Sequence, residues 1–126
     1  MLKRTIPSSG EKIAAVGLGT WRGFDIGTGN AERAQRRAVL ETLLDAGASV
    51  VDSSPMYGRA EGVTGDLLAH MERRDEAFIA TKVWTQGGRQ GIREMEDSFR
   101  LLRTGTIDLM QVHNLVDWRT HLEPMR

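Results

Sequence analysis

The chain has 126 residues, which suits one modest domain. Hydrophobic residues make up 40% and charged residues 27%, and 17 Lys plus Arg balance 17 Asp plus Glu, so charge gives no argument for nucleic acid or an anionic membrane as partner. Cysteine is absent, which excludes disulfides and thiolate metal sites. No apolar run approaches the roughly 18 residues of a membrane span, and the start, Met1-Leu2-Lys3-Arg4-Thr5-Ile6-Pro7, has no apolar core behind its basic pair. The expectation is a cytoplasmic chain.

In chain order, residues 3–6 and 12–14 flank the turn-forming cluster Pro7-Ser8-Ser9-Gly10 and predict a small β-hairpin. Residues 15–20 predict a short strand ending in glycine, and 21–30 a Gly-rich loop. A helix is expected over 31–46, with Asn30 as N-cap, Gly47 at C′, and Ala34, Ala38, Val39, Leu43 and Ala46 as its apolar stripe. Glu32, Arg33, Arg36, Arg37, Glu41 and Asp45 then form a solvated face. Residues 49–52 read as a second strand, followed by a helix over about 59–73 with Val63, Leu67, Leu68 and Met71 on one side. A third strand at 78–83 precedes a helix over about 89–102, with Ile92, Met95, Phe99 and Leu102 inward. A fourth strand is expected at 106–113, and 117–126 read as a loop or the beginning of another helix. This alternation argues for parallel βαβ units with right-handed crossovers.

Asp52, Lys82 and His113 each stand at the C-terminal end of one of these strands, and Tyr57 follows the first of them closely. Side chains alternate faces along a strand. Asp52 therefore shares a face with Val50, Lys82 with Ala80, and His113 with Gln111 and Leu109. Polar groups at the last inward positions of successive strands fit a βα-barrel, and an open doubly wound sheet would also gather ligands there. The four types suit protonation of an oxygen that gains negative charge. A free phenol has a pKa near 10, and an ammonium beside it favours its ionisation. Lys82 is the only lysine after Lys12; at the end of a buried strand it needs a carboxylate partner, which Asp52 can provide. His113 can donate a hydrogen bond to a substrate oxygen.

Plainer readings exist for each residue. Asp52 and Lys82 alone would pass for a structural ion pair, and Tyr57, between Pro55 and Gly58, for a surface turn residue. His70 and His121 receive no site role, His121 being expected at the surface, and Trp118 is read as helix packing. Gly17-Leu18-Gly19 does not open a dinucleotide fingerprint, because position 22 is Arg22 and the next glycine is Gly23. His113 has no metal-ligand partner at a usual spacing, so no metal is expected.

The combination of Ile6-Pro7 and Gly10, Gly17-Leu18-Gly19-Thr20-Trp21, Val51-Asp52-Ser53-Ser54-Pro55-Met56-Tyr57-Gly58, Glu61 and Gly65, Ala80-Thr81-Lys82-Val83 and Asp108-Leu109-Met110-Gln111-Val112-His113-Asn114 resembles the N-terminal half of an aldo-keto reductase. The resemblance implies the first half of a (β/α)₈ TIM barrel preceded by a β-hairpin, and NADPH-dependent reduction of an aldehyde or ketone. It implies that Tyr57 is the proton donor, that Lys82 activates it, and that Asp52 holds Lys82 and helps bind the nicotinamide ribose. It also implies that His113 orients the carbonyl, that Gly19, Thr20 and Trp21 approach the cofactor, and that Trp84 walls the substrate pocket. A whole barrel of this kind takes about 250 residues, so residues 1–126 are expected to be a single incomplete domain. The alternative to a working reductase is then an inactive half-barrel that pairs with itself or with a separate C-terminal half. A different βα-barrel activity, such as an isomerase using the same acid–base groups without nicotinamide, is a weaker third reading.

Overall fold

An opening hairpin and a parallel four-stranded sheet with helices on one side account for the chain in this computed structural model, which describes residues 1–125. Strands β1 (Lys3–Thr5) and β2 (Lys12–Ala14) pair antiparallel around the predicted turn. Then follow β3 (Gly17–Gly19), α1 (Asn30–Asp45), β4 (Val50–Asp52), α2 (Ala60–His70), β5 (Phe78–Val83), α3 (Gly88–Leu101), β6 (Leu109–Val112) and the short α4 (Trp118–Leu122). The sheet order is β3-β4-β5-β6, all parallel, with Gly19, Asp52, Ala80 and Leu109 level across it. None of the helices among the described residues is long and apolar enough to cross a membrane.

The two sheet faces differ sharply. Val51, Ile79, Thr81 and Val83 point toward the helices and are 0–1% exposed. There Val51 and Ile79 join Leu40 and Leu44 of α1, Val63, Leu67 and Leu68 of α2, and Leu102 in the core; Leu102 follows α3 directly. Each fully buried Leu or Ile stabilises the fold by about 1.5–3 kcal/mol relative to solvent exposure. On the other face Gly17, Gly19, Leu109 and Gln111 are exposed, and Val50, Asp52 and Lys82 are half-buried. Asp52 and Lys82 lie on this side.

Several expectations change on contact with the structure. Gly29, not Asn30, is the N-cap residue of α1. The inward stripe of that helix is Arg33, Arg36, Leu40 and Leu44, while Ala34, Ala38 and Val39 are exposed. The two arginines are not on a solvated face. Arg33 donates to the Gly27 carbonyl at 3.2 Å and pairs with Asp66 at 3.2 Å, and Arg36 donates to the Gly23 carbonyl. Guanidiniums can serve inward positions in this way because the loop carbonyls beneath them need donors. Gly47 does stand at C′, at φ +76°, with its N–H on Leu44 O and Ala48 N–H on Leu43 O, a Schellman closure.

In α3 only Leu102, just past its end, is buried as expected; Ile92 is 42% and Phe99 37% exposed, and Met95 is half-buried. The helix faces inward through Gly91 and Ser98 instead. Its spacing to α2 is set by Gly65, where a Cβ would stand 2.2 Å from the Leu101 carbonyl oxygen. The apolar stripe of α3 points to a side where nothing among the described residues covers it. The fourth strand is shorter than expected, so His113 falls in the single turn His113–Leu115 that follows it. His121 is fully buried rather than exposed, and its Nε2 donates to the Thr85 carbonyl at 2.7 Å. Trp118 is 39% exposed, with the Arg119 guanidinium 4.5 Å from its ring centre.

Candidate active site

Lys82 sits two residues beyond the level of Asp52 and Ala80, one repeat along the same sheet face. Its side chain bends back across that face, and Nζ donates to both carboxylate oxygens of Asp52, at 2.7 and 2.8 Å, and to the Ser53 carbonyl at 2.8 Å. The three ammonium protons are thus used, and the lysine side chain is only 12% exposed. An ammonium so placed is held by one full charge and one carbonyl dipole, which offset the cost of drawing it out of bulk water.

Tyr57 ends the single turn Pro55–Tyr57 between β4 and α2. Ser54 caps that turn, its Oγ accepting from Met56 N–H at 3.2 Å. The turn brings the phenol ring over Lys82, with Nζ 5.4 Å from the ring centre, within the range of an attractive cation–π contact. His113 meets the same ring edge-on, at 5.7 Å between centres and 87° between planes. The structure therefore brings together all four residues singled out from the sequence. They form one chain of contacts, Asp52 to Lys82 to Tyr57 to His113.

His113 also touches Ser54, whose Oγ is 2.8 Å from Nδ1. Desolvation pushes the imidazole below its ordinary pKa of 6.5; the Lys82 charge adds to that effect and the Asp52 charge opposes it. Both causes that lower it favour the neutral ring. Two serines were missed in the sequence. Ser54 orients His113, and Ser53 lends its carbonyl to Lys82, while its own hydroxyl donates to Thr20 Oγ1 at 2.9 Å. The only signal for them was their place between Asp52 and Pro55, where serine reads as an ordinary turn former.

The further predicted positions lie around this group. Gly19 ends β3 beside Asp52, and no atom lies within 4 Å of where its Cβ would stand. Thr20 is fully buried, donating from N–H and Oγ1 to the Asp52 carbonyl at 2.9 and 3.0 Å. Its hydroxyl is thus a structural tie between β3 and β4. Trp21 is 58% exposed directly after it, under the Arg22 guanidinium. Trp84, 40% exposed, opens the loop after β5. Three ties fix that loop: Trp84 N–H on the Glu94 carboxylate, Gly87 N–H on Asp117 Oδ2 at 2.8 Å, and the His121 bond to Thr85.

Residues 15–125 match the model of the aldo/keto reductase family. The chain is 34% identical over 118 residues to the methylglyoxal reductase YeaE of Escherichia coli, covering 90% of this chain and 40% of that protein. It is 29% identical to the aldo-keto reductase YhdN of Bacillus subtilis, covering 96% of this chain and 39% of the relative. Its backbone superposes on the crystal structure of an aldo/keto reductase from Klebsiella pneumoniae in complex with NADP and acetate, with a TM-score of 0.72 and 32% identity. That likeness covers 89% of this chain and 40% of the other. The sheet and its helices thus correspond to the first part of a (β/α)₈ barrel, and the chain spans about two-fifths of the length of the relatives it matches.

Proposed function

The chain belongs to the aldo/keto reductase family, and from that premise we propose that it carries the proton-transfer half of an NADP(H)-dependent carbonyl reductase. The observation that supports this most is the shared ammonium: Lys82 is clamped by Asp52 at 2.7 Å while facing the ring of the only tyrosine at 5.4 Å.

The open sheet face fits the nicotinamide and ribose end of such a cofactor. Gly19 leaves bare backbone, Trp21 offers an exposed flat ring, and the Asp52 side chain remains 36% exposed beside its lysine. Gly19, Thr20, Trp21 and Asp52 would hold it there, Thr20 through the loop it fastens. When bound, the reduced cofactor supplies a hydride to the carbonyl carbon. Tyr57 gives its hydroxyl proton to the carbonyl oxygen, so that a C–H and an O–H bond form as the C=O π bond is lost. The Lys82 ammonium stabilises the negative charge left on the phenol oxygen. His113 holds the carbonyl in line. In the tautomer this role requires, the Ser54 hydroxyl donates to His113 Nδ1 across their 2.8 Å contact, and Nε2–H is free to donate to the substrate oxygen. Trp84 bounds the substrate on the β5 side.

Several relatives besides YeaE carry the name methylglyoxal reductase, which makes methylglyoxal the first carbonyl to try. The β3 and β6 edges and the open face call for a complementary half-barrel as partner, from a second copy or from further strands.

Titrating the chain with NADPH while following tryptophan emission tests the cofactor reading. Saturable quenching that weakens in Asp52→Ala is expected. Tyr57→Phe is expected to keep that binding and to lower methylglyoxal turnover by at least about 10²-fold, the scale of a lost general acid. Equal turnover in both proteins removes Tyr57 from its role.

A further inference from the structure

Glu61 is a buried acid that the proton transfer does not use. It lies in the first turn of α2, on the helix side of the sheet, and is 2% exposed. Its Oε1 accepts a hydrogen bond from Thr81 Oγ1 at 2.6 Å, and Thr81 is fully buried too. A carboxyl removed from water is costly, and a leucine would fill such a place without that cost. What the acid adds is direction, since a short hydrogen bond fixes the distance between two segments in a way that apolar contact does not.

The two segments are the ones that matter for Tyr57 and Lys82. Thr81 immediately precedes Lys82 in β5, the two side chains pointing to opposite faces. Tyr57 ends the turn that runs through Gly58 and Arg59 into α2. The Glu61–Thr81 bond therefore ties the backbone that carries the phenol to the backbone that carries the ammonium, from behind the sheet. We infer that Glu61 is a positioning residue, which through Thr81 sets the separation of the Tyr57 ring and Lys82 Nζ. The inference rests on the reading above, in which those two groups act as a pair.

The surroundings agree with that assignment. Burial raises the Glu61 carboxyl above its ordinary pKa, while the Thr81 hydroxyl on β5 pulls it back. Glu94 of α3 adds to the rise and Lys82 opposes it.

Tyr57 is the only tyrosine, so NMR of ring-labelled tyrosine reports on this one residue. Its resonances depend on the edge-on His113 ring and the Lys82 charge. Thr81→Val, which keeps the volume and removes the donor, is expected to shift and broaden the Tyr57 ring signals, and so is Glu61→Leu. Glu61→Gln, which keeps an acceptor for Thr81, is expected to leave them within a linewidth of wild type. If Thr81→Val lowers the melting temperature while the Tyr57 signals stay in place, Glu61 is only core and the inference falls. It falls equally if Glu61→Gln moves the signals as far as Thr81→Val does, because the charge and not the bond is then at work. Lys82→Met separates the two levels. Unmoved Tyr57 signals in that variant overturn the Lys82–Tyr57 pairing and the inference with it. Moved signals there, with none in Thr81→Val, overturn the inference alone.

Discussion

At the scale of single residues, His113 and Glu61 put opposite pH dependence into one fold. The His113 imidazole ionises below 6.5 in the folded chain and near that value when unfolded. Between those two values the unfolded state binds more protons, so stability present above about 6.5 is lost as pH falls through the lower folded value. Thermal melting across that window is expected to slope less steeply in His113→Gln than in wild type. Glu61 works the other way. Its folded pKa is raised above 4.5, so its contribution is complete below that pH and lost as pH rises through the folded value. Wild type is therefore expected to lose ground to Glu61→Gln as pH rises from 4.5, and a difference in melting temperature that is flat with pH would contradict the buried, titrating acid. Of these two residues only one received a chemical role from the sequence. His113 stands out because it ends an apolar strand with a ring that can donate. Glu61 looks like any first-turn acid, a position where helices favour negative charge at the surface, and nothing in the sequence says that this turn faces the core.

At the scale of elements, the same helix ending recurs three times with different residues. Helices α1, α2 and α3 all close by Schellman pairs, the latter two through Arg73 N–H on Leu68 O and Thr104 N–H on Phe99 O. The C′ residues are Gly47, Glu72 at φ +56° and Arg103 at φ +51°. Only the first carries the sequence mark of such an ending, which is why α2 was expected to run to residue 73 but ends at His70. Left-handed backbone costs a non-glycine residue about 1–2 kcal/mol, partly offset by the greater freedom of an unfolded glycine. Glu72 is exposed, so Glu72→Gly is expected to stabilise the chain by about 0.5–1 kcal/mol, visible as a melting temperature a few degrees higher. Gly65→Ala should do the reverse. Its Cβ would press on the Leu101 carbonyl at 2.2 Å, and parting α2 from α3 should cost roughly 1–3 kcal/mol. Element type and order were legible because each apolar run differs clearly in period from the next. The facing of α1 and α3 was not. Arg33 and Arg36 take inward places by reaching loop carbonyls, and glycine and serine give α3 its close approach, so the most hydrophobic stripe and the buried stripe are different sets.

At the scale of the whole molecule, the site and the surface next to it make contrary demands. Asp52, Lys82, Tyr57 and His113 are mutually in place, yet the sheet face that carries them is open, and β3 and β6 are edges without a further neighbour among the described residues. Strand edges offer unpaired backbone groups to any strand that comes near. Leu109 on the open face is 44% exposed, and Ile92, Phe99, Trp118 and Leu122 lie 37–42% exposed on or near α3 and α4. Apolar side chains beside free edges suit another layer of strands and helices rather than water. The relatives, more than twice as long, are similar to this chain over about two-fifths of their length. Mixing the chain with a polypeptide that carries the remaining strands of the Klebsiella pneumoniae relative is thus expected to give one species of full-barrel size by sedimentation. Alone, the chain should self-associate through the same edges, and the partner strands should dissolve that association. Leu109→Lys puts a charge on the shared face, level with Asp52 and Ala80, and should weaken both assemblies together. A chain that sediments as a folded monomer at micromolar concentration, and does not change on mixing, would show that the open face is stable in water. The four residues would then have to work as a cleft without a second wall.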